Sequence, residues 1–279
     1  MKRRIVTTTA VFDPGYPAEK AAERLATLGY EALDMALDYW TGDGSPFLSD
    51  TYLAWAESLR KRAEGLGIPY THSHAPGEAD GRLTARSIET AGALGAGFMV
   101  LHPIWRENGE IIEDRDRFIR VNADAVKPWL ATAKDAGVVI LSENLLWGAS
   151  KDPRVIAELA AAVGSEHFGW CFDTGHANIF AYQPDVLRSC AVPPSSLHLQ
   201  DNHGGGDEHL IPGEGTIDWG GIVGALAAVG YACDCVLEAH HQSLDAPDDE
   251  RDAILTRLLG AAKKLRADMT ALDGKVNDI

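Results

Sequence analysis

Short apolar or β-branched runs alternate with helical stretches from one end of the chain to the other, the pattern of repeated βα units that feed a parallel sheet. The runs Arg4–Thr8, Glu31–Met35, Ile68–His74, Phe98–His102, Val138–Glu143, Phe168–Asp173, Ser196–Leu199 and Cys235–Glu238 predict eight strands. Between them PAEKAAERLATLG, TYLAWAESLRKRAEG, TARSIETAGALG and DPRVIAELAAAVG read as helices, several ending in Gly, where a helix C-terminus favours a left-handed residue. Parallel strands need such crossovers. Eight strand and helix pairs in about 250 residues favour an α/β fold closed into a (β/α)₈ TIM barrel, although an open doubly wound sheet produces much of the same local pattern. The polar residues decide between them. His74, His102, Glu143, Asp173 and Glu238 each stand last in a separate predicted strand, and His198 next to last in another. A barrel gathers six such ends into a ring at its carboxyl face, whereas an open sheet spreads them along a line.

Length agrees with this reading. The 279 residues suit one barrel, and no Pro/Gly/Ser-rich linker divides them, so one domain spanning 1–279 is expected. No apolar run approaches bilayer thickness, and the opening MKRRIVTTTAVFDPGY lacks the apolar core of a secretory signal. A cytoplasmic protein without a membrane partner is the expectation. Four cysteines are too few for a disulfide framework; Cys233 and Cys235 share a strand parity opposite to that of Glu238, facing the covering helices. The 41 acidic against 25 basic residues give a formal charge of −16, which opposes approach to a polyanion, so nucleic acid is not an expected partner.

The chemistry concentrates at the strand ends. A lone His in such a place is commonly a hydrogen-bonded structural residue. Carboxylates that follow apolar runs, as in VVILSE, FGWCFD and CDCVLE, are costly to bury unpaired, and a bound metal stabilises several of them together with imidazoles. An Asp/Glu/His shell suits Mn, Co, Fe or Zn.

The segment SLHLQDNHGGGDEHLIPGEGTIDW, Ser196 to Trp219, and FDTGH, Phe172 to His176, resemble the sugar phosphate isomerase/epimerase family of the xylose-isomerase-like TIM barrels. That superfamily also contains the endonuclease IV type of abasic-site nuclease (AP endonuclease family 2). SHAP at Ser73, LHP at Leu101, SEN at Ser142 and LEAHH at Leu237 follow in the same order, so the resemblance covers nearly the whole chain. It implies that Glu143, Asp173, His198 and Glu238 form the primary metal site. His74, His102, His176, Asp207 and His209 match further ligands of the nuclease branch, so one to three divalent ions per chain fit the inventory.

The resemblance implies an isomerase or epimerase acting on a sugar or keto-polyol, with Glu143 and Glu238 moving a proton through an enediolate. A zinc-dependent phosphodiesterase is the alternative. The acidic net charge opposes it, as does Glu208 between Asp207 and His209. A dehydratase acting on a keto-inositol and a barrel that binds metal or sugar without turnover stay open, as does assembly into a homo-oligomer.

Other residues carry lighter expectations. Trp105 and Trp147 follow the fourth and fifth strand ends and could wall a sugar site; Asn144, Asn178 and Gln200 could orient ligands or bond a substrate hydroxyl. Arg106 reads as an exposed loop residue. His72 should lie one layer below His74, hydrogen-bonded in the core. Gly204–Gly206 reads as a loop close to the site, and the tail DMTALDGKVNDI as a fraying end.

Overall fold

The computed structural model describes residues 3–78, 81, 83–182 and 184–276. Eight parallel strands form the central sheet: β1 (Ile5–Thr8), β2 (Ala32–Ala36), β3 (Tyr70–Glu78), β4 (Phe98–His102), β5 (Val139–Glu143), β6 (Phe168–Asp173), β7 (Ser196–His198) and β8 (Cys235–Leu237). Neighbours follow chain order, and β8 pairs with β1. Closure comes from Leu199, whose amide donates to the Val236 carbonyl at 2.8 Å and whose carbonyl accepts from the Glu238 amide at 3.2 Å. The sheet is therefore a nearly closed (β/α)₈ barrel, and all eight predicted strands exist, with ends shifted by a residue or more in most.

The crossover helices form where the periodicity places them, as at Ala18–Leu28 and Pro153–Val163. Gly29 and Gly164 end these two at φ 95° and 61°, a conformation in which a Cβ would crowd the backbone. Strand alternation then divides the apolar residues. Ile5, Leu33, Met35, Met99, Ile140, Trp170, Phe172 and Leu237 join the large core between sheet and helices. Val6, Ala32 and Val236, and Val100, Leu141 and Cys171, form two small clusters of the opposite parity inside the barrel. On these inner residues rests the polar layer of the mouth.

Two expectations need correction. The C-terminal helix Asp248–Val276 runs through most of the segment expected to fray. Leu265, Met269 and Leu272 recur at intervals of four and three and pack on the core, which holds the last turns; residues 277–279 lie outside those described. Cys233 precedes β8 instead of sharing it. Cys235 does face outward, with its thiol 3.7 Å from Met269 Sδ of that helix. Among the described residues no helix is long and apolar enough to cross a membrane. A small antiparallel hairpin, Arg106–Glu107 with Glu110–Ile111, follows β4 without a signal in the apolar pattern.

Candidate metal centre

The inward parity of each strand brings its last polar residue to the mouth. Glu143 ends β5, Asp173 ends β6, His198 ends β7, and Glu238 follows β8 by one residue. These four each offer one ligand atom, and the atoms lie within 4.8 Å of one another. His198 is central: its Nδ1 is 2.8 Å from Glu143 Oε1 and 3.3 Å from Glu238 Oε2. His74 and His102 bring their Nε2 atoms to 3.7 and 3.5 Å from Glu143 Oε2. His74 does not end its strand, as the sequence suggested; β3 continues to Glu78, and its register against β4 shifts after His74.

A second group stands beside the first. His176 Nε2 lies 3.3 Å, and His209 Nε2 3.1 Å, from Asp207 Oδ2. His209 takes a left-handed backbone, φ 45°, a conformation non-glycine residues adopt mainly under local constraint. The paired amides and carbonyls of Asp201 and Leu210, at 2.9 Å both ways, supply that constraint.

The proton positions follow from the acceptors. His176 Nδ1 is 2.8 Å from the Asn144 carbonyl, His209 Nδ1 is 2.8 Å from the Glu238 carbonyl, and His74 Nδ1 is 3.2 Å from the Ala75 carbonyl. A carbonyl only accepts, so each Nδ1 carries hydrogen; each Nε2 faces a carboxylate, to which it donates when protonated and beside which it presents a lone pair once a cation displaces that proton. Metal-binding histidines are usually held this way.

Charge is dense and buried here. Burial works against the charged forms of His198, His176, His74 and His209, yet the surrounding carboxylates raise all four, His74 and His209 to about 9. Burial likewise opposes ionisation of Glu143 and Glu238, and His198 with its neighbours overcomes it, holding both carboxyls low. Asp173 goes the other way. Burial, reinforced by Glu143, Glu238 and Asp207 against the relief from His176, pushes it up to about 7. Two carboxylate oxygens, Glu143 Oε2 and Asp173 Oδ2, are buried without a hydrogen-bond partner. Such atoms are expensive in a low-dielectric interior, and a divalent cation among them offsets that expense. The mixture of carboxylate and imidazole donors also fits such an ion.

The supporting shell is hydrogen-bonded to the site on several sides, although Gln200 Oε1 has no partner. Asn144, expected as a substrate contact, is fully buried: its amide exchanges bonds with the Asp173 backbone at 2.9 and 3.0 Å and faces no open space. Gln200 Nε2 donates to Asp207 Oδ1 at 2.9 Å and reaches Asp173 Oδ1 at 3.3 Å. Gly175 must be glycine because a Cβ there would collide with the Gln200 amide. Asn178 donates to Asn202 Oδ1 at 2.8 Å, away from the carboxylates. His72 lies buried between Thr71 Oγ1 at 3.0 Å and Ser196 Oγ at 3.1 Å, and burial lowers it to about 3.

Trp105 and Trp147 stack at 4.8 Å, and the Arg106 guanidinium covers Trp105 at 4.8 Å from its ring centre. Trp105 is thus engaged by two neighbours, while Trp147 stays 41% exposed. The triple glycine is drawn into a loop by His203, whose amide donates to Glu208 Oε2 at 2.7 Å.

Sequence reasoning passed over three features. Asp201 is a buried carboxylate accepting from the amides of Asn202, Gly213 and Ile217 and from Trp219 Nε1, at 2.8–3.2 Å. It ties down the loop that carries Asp207 and His209. Asp34 faces the barrel interior, where burial raises it to about 6; its inward parity was a readable signal. His240 and His241 lie beside His209.

Known proteins agree with this architecture. Residues 22–261 match the xylose isomerase-like TIM barrel family. An uncharacterized protein of Sinorhizobium fredii, y4fM, is 29% identical over 161 residues, 53% of this chain and 49% of that protein, so the chain spans about half the length of that relative. In fold the chain is similar to D-psicose 3-epimerase from Clostridium cellulolyticum H10 (TM-score 0.74, 17% identity, 94% of this chain and 99% of that one). It is also similar to 3-keto-D-glucoside 4-epimerase from E. coli (TM-score 0.68, 16% identity, 93% and 100%).

Proposed function

The chain belongs to the xylose isomerase-like TIM barrel family, and from that premise we propose that it is a divalent-metal-dependent epimerase or isomerase of a small sugar or keto-polyol. The observation that carries this reading is the convergence of Glu143, Asp173, His198 and Glu238, with unpartnered oxygens on Glu143 and Asp173. The solved epimerases of similar fold support the substrate class.

In this reading Glu143, Asp173, His198 and Glu238 hold a divalent ion, Mn, Co, Fe or Zn. When bound, the ion polarises the carbonyl and neighbouring hydroxyl of a ketose and acidifies the carbon between them. Glu143 and Glu238 come from strands that are not neighbours, so their carboxylates approach substrate from separate directions. One, as the carboxylate, removes the proton and the substrate passes through an enediolate; the other takes up a proton from solvent or a substrate hydroxyl and delivers it to the opposite face or the adjacent carbon. Surrounding imidazoles keep both glutamates anionic and ready to accept. Asn144 and Gln200 fix Asp173, so the centre changes little as substrate enters. The exposed face of Trp147 offers an apolar wall beside the mouth.

Phosphodiester hydrolysis stands second, favoured by one feature: His176, Asp207 and His209 form a second ligand group, and His74, Glu143 and His198 a third. Several ions would let the site share the charge of a phosphodiester. The net charge of −16 argues against a nucleic-acid substrate.

Incubation of the metal-loaded protein with D-psicose, D-tagatose and L-ribulose in deuterated water tests the proposal. Loss of the proton signal beside the ketose carbonyl is the expected result. No exchange with any of these ketoses, together with cleavage of a nitrophenyl phosphodiester, would put hydrolysis first.

A further inference from the structure

His240 and His241 come two and three residues after Glu238 and have no place in the site as proposed. A ring nitrogen from each lies within 4.8 Å of the other and of one from His209. The ring centres are 4.3 Å apart for His209 and His240, and 4.7 Å for each of the other pairs. His240 Nδ1 is 2.8 Å from the Glu238 carbonyl, the oxygen that also receives His209 Nδ1. His240 therefore carries its hydrogen on Nδ1 and leaves Nε2 with a lone pair, held by the same device as the histidines of the inner cluster.

His209 thus belongs to two triads, one with His176 and Asp207 and one with His240 and His241. Exposure separates them: His176 and His209 are buried, whereas His240 and His241 are partly open to solvent. Their donors differ too. Three imidazoles, each deprotonated at its ligating nitrogen when an ion binds, favour a borderline transition metal over magnesium or calcium. The inner triad adds the Asp207 carboxylate, which attracts a cation more strongly than imidazole does.

We propose that His209, His240 and His241 form an outer site for a divalent transition-metal ion, from which the ion passes inward by exchanging His240 and His241 for His176 and Asp207. His209 is the ligand common to both positions. The downhill direction is set by the inner carboxylate. This inference rests on the metal-dependent reading of the centre.

The test follows Co²⁺ uptake by chelator-stripped full-length protein in a stopped-flow spectrometer, with final ion content measured by plasma mass spectrometry. The variants are His241→Gln, which leaves the bonds to the Glu238 carbonyl intact, and the double variant His240→Gln/His241→Gln. Disturbing residues around a metal site commonly costs about 10- to 100-fold in affinity, so uptake through the crippled outer triad should slow by about tenfold or more in the double variant. Final content per chain should match the parent, which also shows that the fold is intact. Unchanged uptake in both variants overturns the proposal and points to entry past His102, whose side chain is 33% exposed. A loss of final content overturns it as well, since His240 and His241 would then be ligands of the resting cluster. If the parent binds no Co²⁺ at all, the metal-dependent function fails first.

Discussion

Asp173 serves two purposes with one carboxylate. Oδ1 accepts from the His176 amide at 2.6 Å and so caps the short helix Thr174–Ile179, which places the His176 ring. Oδ2 has no partner and lies among Glu143, Glu238 and Asp207, whose charges reinforce its burial. Without a cation this arrangement costs stability. Asp173→Asn keeps an oxygen for the cap and removes the unpaired charge, so chelated protein should gain about 1 kcal/mol, as often happens when a functional residue is relaxed. The same variant should lose most of the metal-induced rise in melting temperature. Thermal scans with chelator and with Mn²⁺ check both halves. A chelated variant less stable than its parent would show that Asp173 is an ordinary helix cap. Of the residue-scale reading, the carboxylates and histidines were legible because polar groups at the ends of apolar runs stand out. Asn144 was legible as a neighbour of the site but not in its role, because only the fold turns its amide onto the Asp173 backbone.

Among the connecting elements, the loop after β7 decides whether the second ligand group exists. Asp201 gathers four N–H donors from Asn202, Gly213, Ile217 and Trp219. Gly215 must pass close to it, since a Cβ there would meet the Asn202 carbonyl and Asp201 Oδ1. In Asp201→Asn a side-chain NH₂ faces two of those donors, so lost charge-assisted bonds of about 1.5–3 kcal/mol each should loosen the loop. Urea denaturation should register the loss. Ion content should fall at the group of Asp207 and His209, while the group of Glu143, Asp173, His198 and Glu238 stays loaded. The C-terminal helix gives a parallel test at the opposite face of the sheet. Met269→Ala empties a buried position against Cys235 and should destabilise by about 2–5 kcal/mol, whereas a fraying tail would show no change in the urea midpoint. The tail was misread because its apolar residues are sparse; Met269 and Leu272, continuing the row from Leu265, suffice once a core is present to receive them.

At the scale of the whole molecule, a cation held at the proposed centre would compete with protons for one cluster. His74 and His209 are raised from 6.5 to about 9, and Asp173 from 3.8 to about 7. A raised histidine stabilises below its unfolded value, and that stability disappears as pH climbs through the folded value; a raised carboxyl likewise favours the acid side. The carboxyls of Glu143 and Glu238 are lowered, so their contribution is lost only on the acid side of 4.5, outside this window. Chelated protein should therefore lose stability between pH 6.5 and 9, while bound metal, which displaces the same protons, should give a larger increase in melting temperature as pH rises across that window. Thermal melts in matched buffers, with and without Mn²⁺, measure the difference. A metal-induced increase that is flat in pH would mean the ion binds elsewhere.

The alternation of apolar runs and helical periodicity is a local property, and it determined the eight βα units and, through strand parity, which residues face inward. The barrel itself needed the closing bonds of Leu199, which join residues far apart in the chain. The cluster of Glu143, Asp173, His198 and Glu238 was readable because each is the polar end of an apolar strand. Tertiary structure alone decided the rest: which imidazole nitrogen faces a carboxylate, which oxygens go unpartnered, and that His209 stands between two triads. For His176 and His209 the acceptors are backbone carbonyls of Asn144 and Glu238, far off in the chain, and no pattern along a single stretch of chain encodes where a distant carbonyl will point.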